Sequence, residues 1–181
     1  MKRLLLVALS STMLCLGADS NANWQKVLAD RLPSYGHRNW IVVADSAYPA
    51  QAKDGIETIV ADADQLQVLK AVMAALANSK HVAPLIHMDE ELQYLDDSQA
   101  NGVEAYRGHL AEIFKDKTVD SIPHEKIIEK LDEVSRTFKV LIIKTNMTIP
   151  YTSVFLQLDC AYWGTDAEKG LRAKMAAAGV H

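Results

Sequence analysis

Cysteine is scarce in this chain, two residues in 181, and their placement excludes a disulfide-stapled fold. Cys15 falls in an N-terminal apolar stretch and Cys160 stands alone near the other end. Once the first leaves with a leader, no intramolecular disulfide can form in any compartment. Long apolar runs are missing as well. The stretch from Leu4 to Leu16 covers about 13 residues, against the roughly 20 needed to cross a bilayer, and no other segment exceeds it. A basic surface is also lacking: with 19 Lys and Arg against 23 Asp and Glu the net charge is −4, which excludes nucleic acid as a natural partner. Proline and glycine are few, 5 and 8, and they gather into no linker. Nor is there an internal repeat, a Gly-rich phosphate loop or a nucleophile elbow.

The N-terminus reads as a targeting signal. Lys2-Arg3 precedes the apolar run, and Ser20-Asn21-Ala22 offers small residues at a cleavage site. Residues 1–22 are therefore expected to be a signal peptide, cleaved near Ala22, and the protein to be exported to the periplasm or secreted. Removal of Lys2, Arg3 and Asp19 leaves 17 basic and 22 acidic residues, a net charge of −5. What remains suits one domain, residues 23–163, large enough to bury roughly 70% of its unfolded surface. An Ala- and Lys-rich C-terminal extension, 164–181, could be helical.

Apolar spacing predicts a helix over 23–35, from Trp24, Val27, Leu28 and Leu32, and a buried strand at Trp40–Ala44. A strand at 56–61 leads into a helix over 62–78, carried by Leu66, Leu69, Val72, Met73 and Leu76. Val82–Met88 reads as another strand and 89–97 as an acidic surface helix or loop, solvated rather than calcium-binding. Helices follow over 103–114 and from His124 behind Pro123, then strands at 139–143 and 154–158. Strands alternating with helices predict a single α/β domain with a largely parallel central sheet flanked by helices. Cys160, next to an apolar stretch, reads as a buried inert thiol. His81, His87 and His109 lack the spacing of a zinc site and read as surface or edge residues.

The sharpest local feature is Gly36-His37 before the first buried strand and Asp45-Ser46-Ala47-Tyr48-Pro49 after it. Carboxyl ends of strands face the crevice where α/β sheets bind ligands, so Asp45 is a candidate contact. His37 lies at the other end of that strand, more than about 20 Å of extended chain away. The two can share a pocket only if the segment bends or if neighbouring subunits bring the two ends together. Each residue also has a plain reading: a histidine after glycine as a turn residue, an aspartate after a strand as a helix cap.

Gly-His, an apolar strand and Asp-x-x-x-Pro together resemble the N-terminal signature of the ribose pyranase and fucose mutarotase (RbsD/FucU) family. Ile59-Val60-Ala61-Asp62, Ala83-Pro84-Leu85-Ile86, His124-Glu125 and the segment from Phe138 through Pro150-Tyr151-Thr152-Ser153 to Leu158 continue the likeness, over about residues 24 to 163. The resemblance implies a sugar mutarotase, with His37 as the proton-transfer residue and Asp45, His124, Tyr151, Ser153 and Asp62 as sugar contacts. It also implies a ring-shaped homo-oligomer, with no metal and no cofactor. Ser153 departs from the family's asparagine and loses an amide's paired donor and acceptor. Export is a second departure. Opening a cyclic hemiacetal takes a proton from the anomeric hydroxyl and gives one to the ring oxygen, which an imidazole can do near neutral pH. A non-catalytic sugar-binding or sensing protein on the same fold is the alternative.

Overall fold

A computed structural model of the chain describes residues 24–180. The expected signal peptide lies outside the described residues. The elements in order are α1 (Trp24–Arg31), β1 (Trp40–Ala44), β2 (Ile56–Val60), α2 (Gln65–Ala77), β3 (Val82–Asp89), α3 (Val103–Ile113), β4 (Val119–Ile122), α4 (His124–Val134), β5 (Val140–Lys144), β6 (Val154–Cys160) and α5 (Thr165–Ala177). Six strands form one sheet in the order β2-β5-β1-β6-β3-β4. β1 pairs parallel with β5, as do β2 with β5 and β3 with β4; only β6 runs against its neighbours β1 and β3. This is the α/β domain with a largely parallel sheet that the alternating pattern predicts.

The continuous apolar runs arise because the central strands are covered on both faces, so alternate residues enter two cores. Ile41, Val43, Leu141, Ile143, Val154 and Leu156 pack with residues of α1, α2 and α3. Trp40, Val42, Ala44, Val140, Ile142 and Phe155 pack against Ile127 and Leu131 of α4. Both α4 residues are fully buried, and each contributes about 1.5–3 kcal/mol by leaving water. The second face therefore depends on a single helix, which also carries His124 at its first position.

Several expectations change in detail. The first helix stops at Arg31 and tightens into a 3-10 turn, Leu32–Ser34, at Pro33. α2 begins at Gln65 because the Asp64 side chain accepts from the Gln67 N–H at 3.0 Å and caps it. β4 has no apolar run to reveal it: it is a four-residue edge strand with Asp120 and Ser121 exposed, and an edge needs little burial. Gly55, before β2, is required by close approach, since a Cβ there would fall 1.9 Å from the Ser135 carbonyl oxygen.

Three residue readings are corrected. Asp89 ends β3 and is 2% exposed, so the acidic surface segment begins after it, in the 3-10 turn Glu90–Tyr94. His87 is not a surface or edge residue. Its strand lies between β6 and β4, it is buried, and its ring stacks on Trp40 at 5.4 Å. Burial lowers its pKa, with Lys130 adding to the effect. Cys160 is half-buried rather than buried, because β6 leaves the core at its last two residues. Among the described residues no helix is long and apolar enough to cross a membrane.

Candidate functional site

The carboxyl ends of β1, β3, β4 and β5 and the start of β6 meet at one edge of the sheet. β1 delivers Asp45 and β6 delivers Ser153, and the two are joined directly. The Ser153 hydroxyl donates to Asp45 Oδ2 at 2.9 Å, and the Asp45 N–H donates back to the Ser153 oxygen at 3.2 Å. The Ala47 N–H donates to the other carboxylate oxygen at 2.9 Å. Ser153 is buried, so its hydroxyl serves to orient Asp45. Asp45 itself is half-buried and keeps acceptor capacity on both oxygens.

Beneath this pair lies a buried polar network. Gln65 donates to the Tyr106 hydroxyl at 2.9 Å and to the Thr152 carbonyl, while Tyr106 donates to that same carbonyl at 2.8 Å. The Thr145 hydroxyl is within hydrogen-bonding reach of the Ala44 carbonyl at 2.9 Å and of Gln65 Oε1 at 3.2 Å. The ends of β1 and β5, the start of α2 and the entry to β6 are thereby held together, which fixes Thr152–Ser153 beside Asp45. Burial pushes the Tyr106 phenol pKa up, so it remains a donor.

Asp45, Tyr48, His124, Thr148 and Tyr151 line a cleft of about 420 Å³, within the range of small-molecule sites. Tyr48, inside the Asp-x-x-x-Pro segment, turns inward against Phe155 with ring centroids 6.3 Å apart. Among the described residues its buried hydroxyl has no hydrogen-bond partner, and burial pushes its pKa up, with Asp89 the next cause. His124 sets its ring edge-on to Tyr151, centroids 5.4 Å apart. Tyr151 holds a left-handed backbone at φ 59, a conformation that costs an L-residue about 1–2 kcal/mol and that concentrates at ligand sites.

Behind His124 sits Asp89. Its Oδ1 lies 3.2 Å from His124 Nδ1, close enough for the imidazole to act on the carboxylate as an ion-pair and hydrogen-bonding neighbour, and among the described residues neither oxygen has any other donor. Burial pushes the carboxyl up to about 6, with His124 pulling it back and Glu91 and Asp45 pushing further.

His37 is elsewhere. It precedes β1 at the opposite edge of the sheet, half-exposed, with Nε2 3.4 Å from Asp159 Oδ1 at the end of β6. Its own hollow, about 940 Å³, is lined by His37, Arg38, Asp159, Cys160, Tyr162 and Trp163, and Arg38 is left-handed at φ 75. One chain thus brings Asp45, Ser153, His124 and Tyr151 together and leaves His37 apart. Asp62 is exposed after β2 at φ 46 and does not line the Asp45 cleft.

Tyr48, Asp89 and the Gln65 network were not among the sequence candidates. For Asp89 the signal existed: like Asp45, it is a carboxylate at the carboxyl end of an apolar strand. The network had none, since Gln65, Tyr106, Thr145 and Thr152 are scattered along the chain.

A model of the RbsD / FucU transport protein family matches residues 23–160. Bacillus subtilis RbsD, solved in complex with D-ribose, shares the fold with a TM-score of 0.50 at 20% identity, covering 77% of this chain and 93% of that one. FucU from Bifidobacterium longum also gives a TM-score of 0.50, at 18% identity, covering 76% and 92%. No curated protein sequence matches the chain. The match over residues 23–160, with Asp45, His124 and Tyr151 gathered at the carboxyl edge of a sheet of that fold, places this chain in the RbsD/FucU family.

Proposed function

We propose that the protein is a monosaccharide mutarotase or pyranase, interconverting cyclic forms of a free ribose- or fucose-like sugar. The observation that carries this reading is the Asp45 cleft, where a carboxylate oriented by Ser153, the His124 imidazole and the Tyr151 side chain converge in a chain of the RbsD/FucU family. Such an array matches the alternating hydroxyls of a sugar, and the B. subtilis relative is complexed with D-ribose. Asp45, His124 and Tyr151 hold the sugar, and Asp62, outside the cleft, has no part in the proposal. His37 moves the proton, taking it from the anomeric hydroxyl as the ring C–O bond breaks and returning one to the ring oxygen. Closure on the other face reverses the transfer.

Because His37 and Asp45 lie at opposite ends of β1, the working site needs a homo-oligomer in which His37 of one copy faces the Asp45 cleft of the next. A ring-shaped assembly meets this requirement. The leader expected at residues 1–22 supports action outside the cytoplasm, on sugar present in the periplasm or medium. A non-catalytic sugar-binding role draws support from one feature: the Ser153 hydroxyl is bound to Asp45 and spends its hydrogen on that contact.

Saturation-transfer NMR on ribose, fucose and related sugars tests the proposal. Faster exchange between ring forms, lost in His37→Ala with the oligomer intact by sedimentation, is the expected result. Binding without faster exchange would favour the sensing role, and neither effect with any of these sugars overturns both.

A further inference from the structure

Asp89 is an expensive residue with no evident structural duty. A buried carboxylate is tolerated when it is paired or caps a helix. Among the described residues its one ion-pair partner is His124, and neither oxygen has a donor besides that imidazole. Capping does not account for it either. The start of α4 is served by Glu91, whose two carboxylate oxygens accept from the His124 N–H at 3.1 and 3.0 Å. The groups around it are Glu91 from the following 3-10 turn, Asp45 and Tyr48 from the segment after β1, and His124 from α4. On its other side Asp89 shares a cavity lining with Arg107 and Lys115, of α3 and the turn after it. The Arg107 guanidinium is engaged by the Leu92 and Leu95 carbonyls, and among the described residues the ion pair Asp89 makes is with His124.

His124 is divided between two environments. Its Nδ1 is buried against Asp89, whereas the side chain is 33% exposed and lines the Asp45 cleft. That leaves Nε2 as the ring nitrogen available to a ligand. A carboxylate behind Nδ1 favours the tautomer with its proton on Nδ1 and the lone pair on Nε2, the arrangement by which carboxylates orient imidazole bases and metal-binding histidines.

We infer that Asp89 is a positioning residue that holds His124 in the Nδ1–H tautomer, so that His124 Nε2 serves as a second proton-transfer group of the site. The inference rests on the mutarotase reading above and deepens it. Ring opening removes a proton at the anomeric oxygen and delivers one at the ring oxygen, two atoms on different sides of the anomeric carbon. With two imidazoles, Nε2 of His124 takes the anomeric proton while protonated His37 of the neighbouring copy gives one to the ring oxygen. The C–O ring bond breaks, the carbonyl forms, and the proton count is unchanged. Closure runs the transfers backwards. The raised pKa of Asp89 accords with its burial and accounts for none of the geometry.

The test combines imidazole 15N NMR with sugar exchange on the full protein, assigning His124 through His124→Gln. The wild type is expected to carry the His124 proton on Nδ1. Asp89→Asn, whose amide can donate to Nδ1, is expected to shift it to Nε2 and to slow exchange by about ten- to a hundred-fold, with sugar affinity changed far less. An Nε2–H tautomer in the wild type sinks the inference without any variant, so misfolding of Asp89→Asn would not shield it. Unchanged exchange in Asp89→Asn, in a wild type that does accelerate exchange, overturns the role of Asp89 while leaving the mutarotase reading standing. An inactive wild type overturns both.

Discussion

Replacing Asp89 with asparagine should make the protein more stable at neutral pH, and the pH dependence of that gain carries the argument. The ordinary carboxyl value of 3.8 is raised to about 6, chiefly by burial. At about 1.36 kcal/mol for each tenfold change in proton affinity, a rise of that size is a cost on the order of 2–3 kcal/mol at neutral pH. Because the folded-state value is the higher one, the folded protein binds the proton more tightly than the unfolded chain. The associated stability is fully present below about pH 4 and is lost as pH rises through about 6. Asparagine does not titrate. The stability of Asp89→Asn relative to the wild type should therefore grow with pH, by an amount on the order of 2 kcal/mol between pH 4 and pH 7.5. Urea unfolding of both proteins at pH 4, 6 and 7.5 measures this; groups that do not interact with residue 89 cancel in the difference, and His124, which does, is followed separately in His124→Gln and the His124→Gln/Asp89→Asn double variant. A constant difference, or a variant that loses ground as pH rises, would show that Asp89 and His124 form a net stabilising ion pair and would refute the reasoning. The expected result, with slower sugar exchange, describes a residue kept at the expense of stability.

Three more outcomes follow from the geometry. Gly55→Ala would drive a Cβ to 1.9 Å from the Ser135 carbonyl oxygen, so a loss of about 1–3 kcal/mol or more is expected in thermal melts, whereas Gly36→Ala, with nothing within 4 Å, should be near neutral. Gln65→Ala removes the centre of the buried network and should cost about 2–4 kcal/mol in urea unfolding, with weaker sugar binding by calorimetry as Thr152–Ser153 loosen; full sugar affinity would disconnect that network from the site. Ser153→Ala deletes two hydrogen bonds, from the hydroxyl to the Asp45 carboxylate and from the Asp45 N–H to the hydroxyl, and should cost about 1–3 kcal/mol of stability, together with a loss of sugar affinity, read by NMR titration, because Asp45 loses its orientation.

The chain order of helices and strands was legible because buried strands and amphipathic helices write different periods. β1, β5 and β6 are apolar on both faces, and α2 shows its buried stripe at Val68, Leu69, Val72 and Leu76. β4 was illegible for the converse reason: an edge strand with Asp120 and Ser121 in water leaves no apolar signal. The cleft was legible only in part. Asp45, His124 and Tyr151 stood out through local motifs, and the fold gathers them. Asp89 reads as surface in the sequence because it opens the run Asp89-Glu90-Glu91, and a run of acids looks solvated whichever member is buried.

By itself the sequence determined the α/β class, the two-faced burial of the central strands and the identity of several groups at the carboxyl edge, all of which follow from hydrophobic period and strand-end position. Tertiary structure alone decided which edge each group occupies. It turned the Ser153 hydroxyl onto Asp45, put Asp89 behind His124, and kept His37 at the far end of β1 against Asp159. These are consequences of strand order and direction. β6 returns antiparallel beside β1, so its start meets Asp45 and its end meets His37, a pairing between residues more than a hundred positions apart that no local pattern encodes.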